Sequence, residues 1–430
     1  MSDITAAAPE ARLVRALGVW GLAASIVNVT IGGGIFRLPA SAAAALGRGA
    51  PLAYLVCALA MGLIVLCIAE AGSRVSLTGG PYAYVELAFG PFVGFLSGVL
   101  LWLLGTFAVA AVSTVFAISV GRLVPALGTP TGSAALLAIA FAVVATVNIR
   151  GVRQGTRLNT VTTVAKLLPL ALLVLVGVWV VRPEVLEAPR VAEPNWTEAV
   201  LLLVFAYGGF ESGVVAAGEV REPRRDTAFA LVVAMGVVTV VYTLVQLVIV
   251  GVLPAAARST APVADALGRV LGGGGVMVGA LAVVVSVYGW MAGFALMTPR
   301  ILLAMAQRGE MPAVLARVHP DRRTPHPAIV ANSVVALALA LFATFAQMAT
   351  LAAVVRLGIY AATCATLIAL RRRAVAPPGF RLPAGDLLAL VGIAFCGWLL
   401  ATRSLTQAWA LAGIVGSGAL VRLAVRRRPV

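Results

Sequence analysis

Two short stretches carry most of the chemistry open to this chain. In the first, Ile31-Gly32-Gly33-Gly34-Ile35-Phe36 sets three consecutive glycines in the middle of a long apolar run. Continuous helix is costly there, at about 1 kcal/mol per glycine relative to alanine, so the helix is expected to unwind and free backbone N–H and C=O groups. In the second, Phe205-Ala206-Tyr207-Gly208-Gly209-Phe210-Glu211-Ser212-Gly213 puts a glycine pair beside an ionisable carboxyl, again midway along an apolar run. Freed backbone at membrane depth is tolerated only where it is buried in protein or lines a cavity, so a pair of breaks implies a central polar site. Half-helix N-termini hold a carboxylate, and the loosened carbonyls beside them accept from an ammonium group. Such a site suits a small zwitterion, and an amino acid is the simplest one. Glycines that serve only close helix packing are the plainer alternative.

The remaining ionisable residues are few enough to weigh singly. Lys166, the sole lysine, sits among Val164, Ala165, Leu167 and Leu168; burying an ammonium costs several kcal/mol unless it finds partners or loses its proton. It either serves ion coupling or snorkels to the interface from the end of its helix. Glu211 is the second intramembrane candidate for ion coupling or for contact with a cationic substrate, the alternative being an acceptor for nearby backbone N–H groups. Glu70, Glu219 and Glu222 lie near Arg74, Arg221, Arg224, Arg225 and Arg300, and are expected to form gate or structural ion pairs. Arg37, three residues past the glycine triplet, is placed to face an outer vestibule. His319 and His326 share one loop, and Cys57, Cys67, Cys364 and Cys396 sit singly in apolar runs. Neither set has metal-ligand or redox spacing, and no metal or cofactor is expected.

The elements that must position these residues are membrane helices. Hydrophobic residues make up 61% of the 430 and charged residues 11%, with a mean hydropathy of +1.03, which no water-soluble core accommodates. Apolar runs of spanning length predict twelve helices, at 18–46, 52–72, 92–121, 133–149, 158–181, 196–218, 228–252, 273–303, 327–346, 350–370, 385–402 and 406–422. Residues 1–17 read as a tail without the apolar core of a signal peptide, and 423–430 as a short basic tail. The net charge of +16 is spread through loops and not gathered on one face, which argues against nucleic acid. With the N-terminus on the cytoplasmic side of an inner membrane, 22 of the 32 basic residues fall on that side, which predicts both termini inside.

The two breaks occupy spans one and six, the spacing expected of two five-helix halves inverted about a midplane site. At these residues the chain resembles the amino acid, polyamine and organocation superfamily. The resemblance is carried by Gly32-Gly33-Gly34-Ile35-Phe36, by Glu70 with Gly79-Gly80-Pro81-Tyr82-Ala83-Tyr84, by Phe205 through Glu211, and by the stretch from Glu219 to Asp226. Pro299-Arg300-Ile301-Leu302-Leu303-Ala304-Met305-Ala306, Gly309-Glu310-Met311-Pro312 and Thr324-Pro325 complete it. It implies an all-α polytopic membrane protein of the leucine-transporter type, with a 5+5 inverted repeat at 18–181 and 196–370 and peripheral helices at 385–422. By the same resemblance Gly32, Gly33 and Gly34 bind the substrate carboxylate through N–H groups, carbonyls near Ile31 and Phe205 receive the amine, and Tyr207, Gly208, Gly209 and Phe210 shape the side-chain pocket. Lys166 would stand where related carriers hold a sodium ion.

The function expected is therefore secondary active uptake of an amino acid, neutral by the scarcity of acids in the spans, by alternating access and coupled to protons or independent of sodium. Exchange of amino acids or amines is the close alternative. An integral-membrane enzyme lacks a convergent acid, base or metal constellation, and a substrate-sensing receptor lacks an output domain.

Overall fold

The computed structural model describes residues 18–75, 81–150, 155–181, 193–211, 223–373 and 377–403, with 412, 413, 416, 418–420, 422 and 423. Every regular element among them is helical. The first expected span is two half-helices, α1 (Val19–Thr30) and α2 (Leu38–Leu46), joined by a 3-10 turn at Gly33–Phe36. Next come α3 (Ala50–Arg74), the short α4 (Pro81–Phe89), α5 (Pro91–Leu123), α6 (Pro130–Arg150) and α7 (Gly155–Gly177). The second half runs α8 (Trp196–Tyr207), α9 (Pro223–Val252), α10 (Pro262–Leu271), α11 (Gly273–Gln307), α12 (His326–Phe342), α13 (Phe345–Arg372) and α14 (Gly385–Ala401). Among the described residues, six helical stretches are long and apolar enough to cross a membrane, and five shorter apolar helices accompany them. The twelfth expected span, 406–422, lies mostly outside the described residues.

Local sequence explains where these helices start. Proline stands in the first turn of α3, α5, α10 and α12, where its missing N–H removes no intrahelical bond. Asn195 caps α8 by accepting from the Glu198 N–H at 3.0 Å. Thr344 and Gln347 form a reciprocal capping box at the start of α13. Inside the long α11, Pro299 is accommodated without ending the helix.

Packing divides the helices into two groups. α1, α2, α3, α8 and α9 pack on one another, while α5 packs against α11, α12 and α13, and α6 against α12. α7 touches both α9 and α11, and α13 reaches α3, α5 and α8, so these two helices bridge the groups. Buried Asn332 fixes α12 to α5: its Oδ1 accepts from Trp102 Nε1 at 3.0 Å and from the Thr106 hydroxyl at 3.1 Å. An unpaired amide at that depth would be costly, so the pairing also sets the register of the two helices.

Ion pairs close both ends of the molecule. Glu70 is fully buried at the end of α3. It accepts from Arg74 Nη2 at 2.8 Å, Arg371 Nη2 at 2.5 Å and the Leu382 N–H at 2.8 Å, tying α3 to α13 and to the segment before α14. Its long-range partner is Arg371, whereas Arg300 is exposed on α11. Glu219 and Glu222 lie outside the described residues. At the opposite end Arg37 Nη1 donates to the Ser259 carbonyl at 2.6 Å, and Arg122 pairs with Asp265 at 2.5 Å. Arg37 thus holds the start of α2 against the loop leading into α10.

Candidate functional site

The first break forms because α1 stops at Thr30. Ile31 closes it with φ −72° and ψ 77°, and Gly32 is extended. None of the three glycines has positive φ; space decides their identity. A Cβ on Gly32 would sit 2.7 Å from Trp290 Nε1, on Gly33 2.4 Å from Val112 Cγ1, and on Gly34 3.1 Å from Phe205 Cε1. The turn is therefore clasped by α11, α5 and α8 at once, and the packing and unwinding readings of these glycines hold together.

The second break follows Tyr207. Gly208 is extended, Gly209 has φ +115°, and helical backbone resumes at Phe210. Gly209 needs that left-handed conformation, and a Cβ there would also lie 3.0 Å from the Val29 carbonyl. The two breaks accordingly touch backbone to backbone. Tyr242 of α9 joins them: its hydroxyl lies 2.9 Å from the Thr30 carbonyl and 3.2 Å from that of Ala206.

A small cavity opens between the breaks. It is lined from α1 and its turn by Thr30, Gly32, Gly33 and Gly34, from α8 by Phe205, Ala206 and Gly208, and from the other helices by Ala108, Val112, Trp290, Phe294 and Arg356. Trp290 and Phe294 stack with centroids 4.1 Å apart, giving one wall a flat aromatic face. The lining omits four residues that the sequence assigned to binding. Ile31 is fully buried. Tyr207 turns toward α3, its hydroxyl donating to the Tyr54 carbonyl at 3.0 Å, because it belongs to a packed trio with Tyr54 and Tyr242. Gly209 faces Val29, and Phe210 stacks on Tyr360 at 5.6 Å.

Many of the carbonyls loosened by the breaks already have protein donors. Lys166 Nζ donates to Asn28, Trp290 Nε1 to Val29 at 3.3 Å and Tyr242 to Thr30. On the other break Arg356 Nη1 lies 3.4 Å from the Val204 carbonyl and 3.3 Å from that of Phe205. Lys166 is 5% exposed and does not snorkel; its ammonium grips α1 at the residues leading into the glycine turn. Among the described residues, Gly33 and Gly34 have no partner for their N–H groups in loops or side chains, and both residues line the cavity. The arrangement is thus weighted toward donors, as a carboxylate requires.

Glu211 is fully engaged. Oε1 accepts from Arg356 Nε at 2.9 Å and from the Tyr360 hydroxyl at 2.6 Å, and Oε2 from the Gly209 N–H at 2.6 Å. The backbone-capping role and a counter-ion role therefore coexist, and Glu211 is not among the residues that line the cavity. Arg356 is the residue that sequence reasoning missed. Its signal was visible, an arginine inside an apolar span, which is expensive without a partner; nothing in the sequence connects it to Glu211, 145 positions away.

A family model described as amino acid permease matches residues 17–414. The chain is 27% identical over 410 residues to the serine/threonine exchanger SteT of Bacillus subtilis (strain 168), covering 92% of both chains. It is 27% identical over 435 residues to the methylthioribose transporter of the same organism, covering 93% of this chain and 91% of that one. It is also 26% identical over 460 residues to the branched-chain amino acid permease BcaP, covering 96% and 94%.

Proposed function

Because the chain belongs to the amino acid permease family, we propose that this multi-pass membrane protein carries a neutral amino acid across the bilayer by alternating access, without sodium. Its relatives are permeases and transporters, and an enzymatic reading falls away. One observation carries the substrate reading: two broken helices meet at a cavity lined by Gly33 and Gly34, whose N–H groups have no loop or side-chain partner among the described residues, beside small apolar and aromatic walls. The α-carboxylate docks on those N–H groups, where the developing helix dipole favours an anion. The ammonium group is received by carbonyls beside Ile31 and at Phe205 that line the cavity, those of Thr30, Gly32 and Phe205, each of which keeps a second lone pair. One relative is named for methylthioribose, so family membership alone leaves the cargo open, and the donor-rich cavity is what favours an amino acid.

Two five-helix repeats, 18–181 and 196–370, would supply the motion. The group built on α1, α2, α3, α8 and α9 rocks against the group built on α5, α6, α11 and α12, with α7 and α13 as the bridges. Lys166 takes the place of a coupling cation: it spans from α7 to the end of α1, so loss of its proton would release that half-helix. Glu70 with Arg371, and Arg122 with Asp265, are gate pairs at the two ends. The arginine-rich loops support a plasma-membrane orientation with both termini in the cytoplasm.

Uptake by proteoliposomes tests the proposal. Labelled neutral amino acids are expected to accumulate without sodium and to respond to an inward proton gradient. Strict dependence on internal amino acid would identify an exchanger instead, and sodium-driven uptake indifferent to protons would remove the role given to Lys166. A thermal-shift screen of purified protein adds an independent readout, since a ligand that binds the native state raises the transition.

A further inference from the structure

Arg356 is 3% exposed and Glu211 6% exposed, yet the guanidinium does more than neutralise the carboxylate. Nε serves Glu211, and Nη1 lies within reach of the Val204 and Phe205 carbonyls. Nη2 has no partner among the described residues, and the side chain lines the cavity. Space for it exists only because residue 208 is glycine, since a Cβ there would lie 1.9 Å from Arg356 Cζ and 2.2 Å from Nη1. The cavity wall thus includes a paired cation whose counter-ion also accepts from the Tyr360 hydroxyl and the Gly209 N–H.

Resting on the amino-acid reading above, we propose that Arg356 Nη2 is the subsite that reads the substrate side chain, selecting a small neutral amino acid whose side chain carries a hydrogen-bond acceptor, a hydroxyl or a carboxamide. A cationic side chain meets a guanidinium and no carboxylate in the cavity lining, so it is excluded. A second carboxylate fares poorly as well, because Glu211 already neutralises the guanidinium and the added negative charge would be buried without a counterpart. Val112, Trp290 and Phe294 limit the size of the side chain.

Equilibrium binding to the purified full chain tests this with serine, alanine, lysine and aspartate as probes. Wild-type protein is expected to bind serine roughly tenfold more tightly than alanine, the worth of one hydrogen bond to a charged donor, and to bind lysine and aspartate more weakly than alanine. Arg356→Met alone would strand Glu211, so the variant is Arg356→Met with Glu211→Gln; Gly208→Ala, which displaces the guanidinium while keeping both charges, is the second. In each the serine-to-alanine ratio is expected to fall toward one, and the ratio is insensitive to any general loss of affinity. A ratio unchanged in the variants, a wild-type ratio near one, or lysine bound as tightly as alanine overturns the subsite. Binding of no amino acid at all overturns the reading beneath it and the subsite with it.

Discussion

The two helix breaks solve one problem by different means. At the first, three glycines are pressed against Val112, Trp290 and Phe205, and the neighbouring carbonyls are taken by one ammonium, one indole and one phenol. At the second, a charged pair does the bridging: Arg356 crosses to the carbonyls before the break while Glu211 turns back onto the Gly209 N–H after it. Shape closes the first break and charge closes the second. A break held by shape leaves the Gly33 and Gly34 N–H groups without a loop or side-chain partner among the described residues, whereas a break held by charge has most of its polar groups committed; on the proposed reading the first binds and the second holds and selects.

That contrast can be broken by substitution, and the largest effect is expected at the charged break. Arg356→Leu leaves a buried carboxylate without its counter-ion and should lower stability by about 3–5 kcal/mol, read as an earlier thermal transition of the detergent-solubilised protein. Adding Glu211→Gln should recover most of it; a double variant no more stable than the single would show that the pair does not hold the break. At the shape-held break, Gly33→Ala drives a methyl into Val112 and should cost about 1–3 kcal/mol. Val112→Ala should restore the loss, and a double-mutant cycle measures the coupling.

Tyr242→Phe removes the one hydroxyl shared by both breaks and should cost about 1 kcal/mol, with faster amide exchange at residues 28–36 and 205–211. Unchanged exchange would mean that each break is held independently. The smallest stability change, within about 1 kcal/mol, is expected for Lys166→Met, because an apolar side chain of similar length removes the cost of burying an ammonium together with the bond it makes. Its signature is functional: uptake should cease to respond to a proton gradient, and a retained response would assign the coupling elsewhere.

The breaks were legible in the sequence because glycine runs inside apolar segments contradict the helix around them. The long apolar helices α3, α5 and α6 were legible because lipid leaves no alternative to helices, whereas the short α4 and α10, which lie between the expected spans, were not. Which way each side chain faces was not legible. Tyr207 and Phe210 stand beside the glycine pair in sequence, yet one packs against Tyr54 and the other against Tyr360. Trp290 and Val112, which carry no signal in apolar spans, fill the space that the glycines vacate.

Composition and spacing by themselves determined that this chain lives in a membrane and where its helices must break. Only the tertiary structure decided the pairings: Lys166 with Asn28, Arg356 with Glu211, Glu70 with Arg371. The reason is physical. Hydrophobicity and backbone strain act over a few neighbouring residues and are written locally, whereas a buried charge is satisfied by whatever the packing of distant helices brings within about 3 Å, and that distance does not exist until the chain has folded.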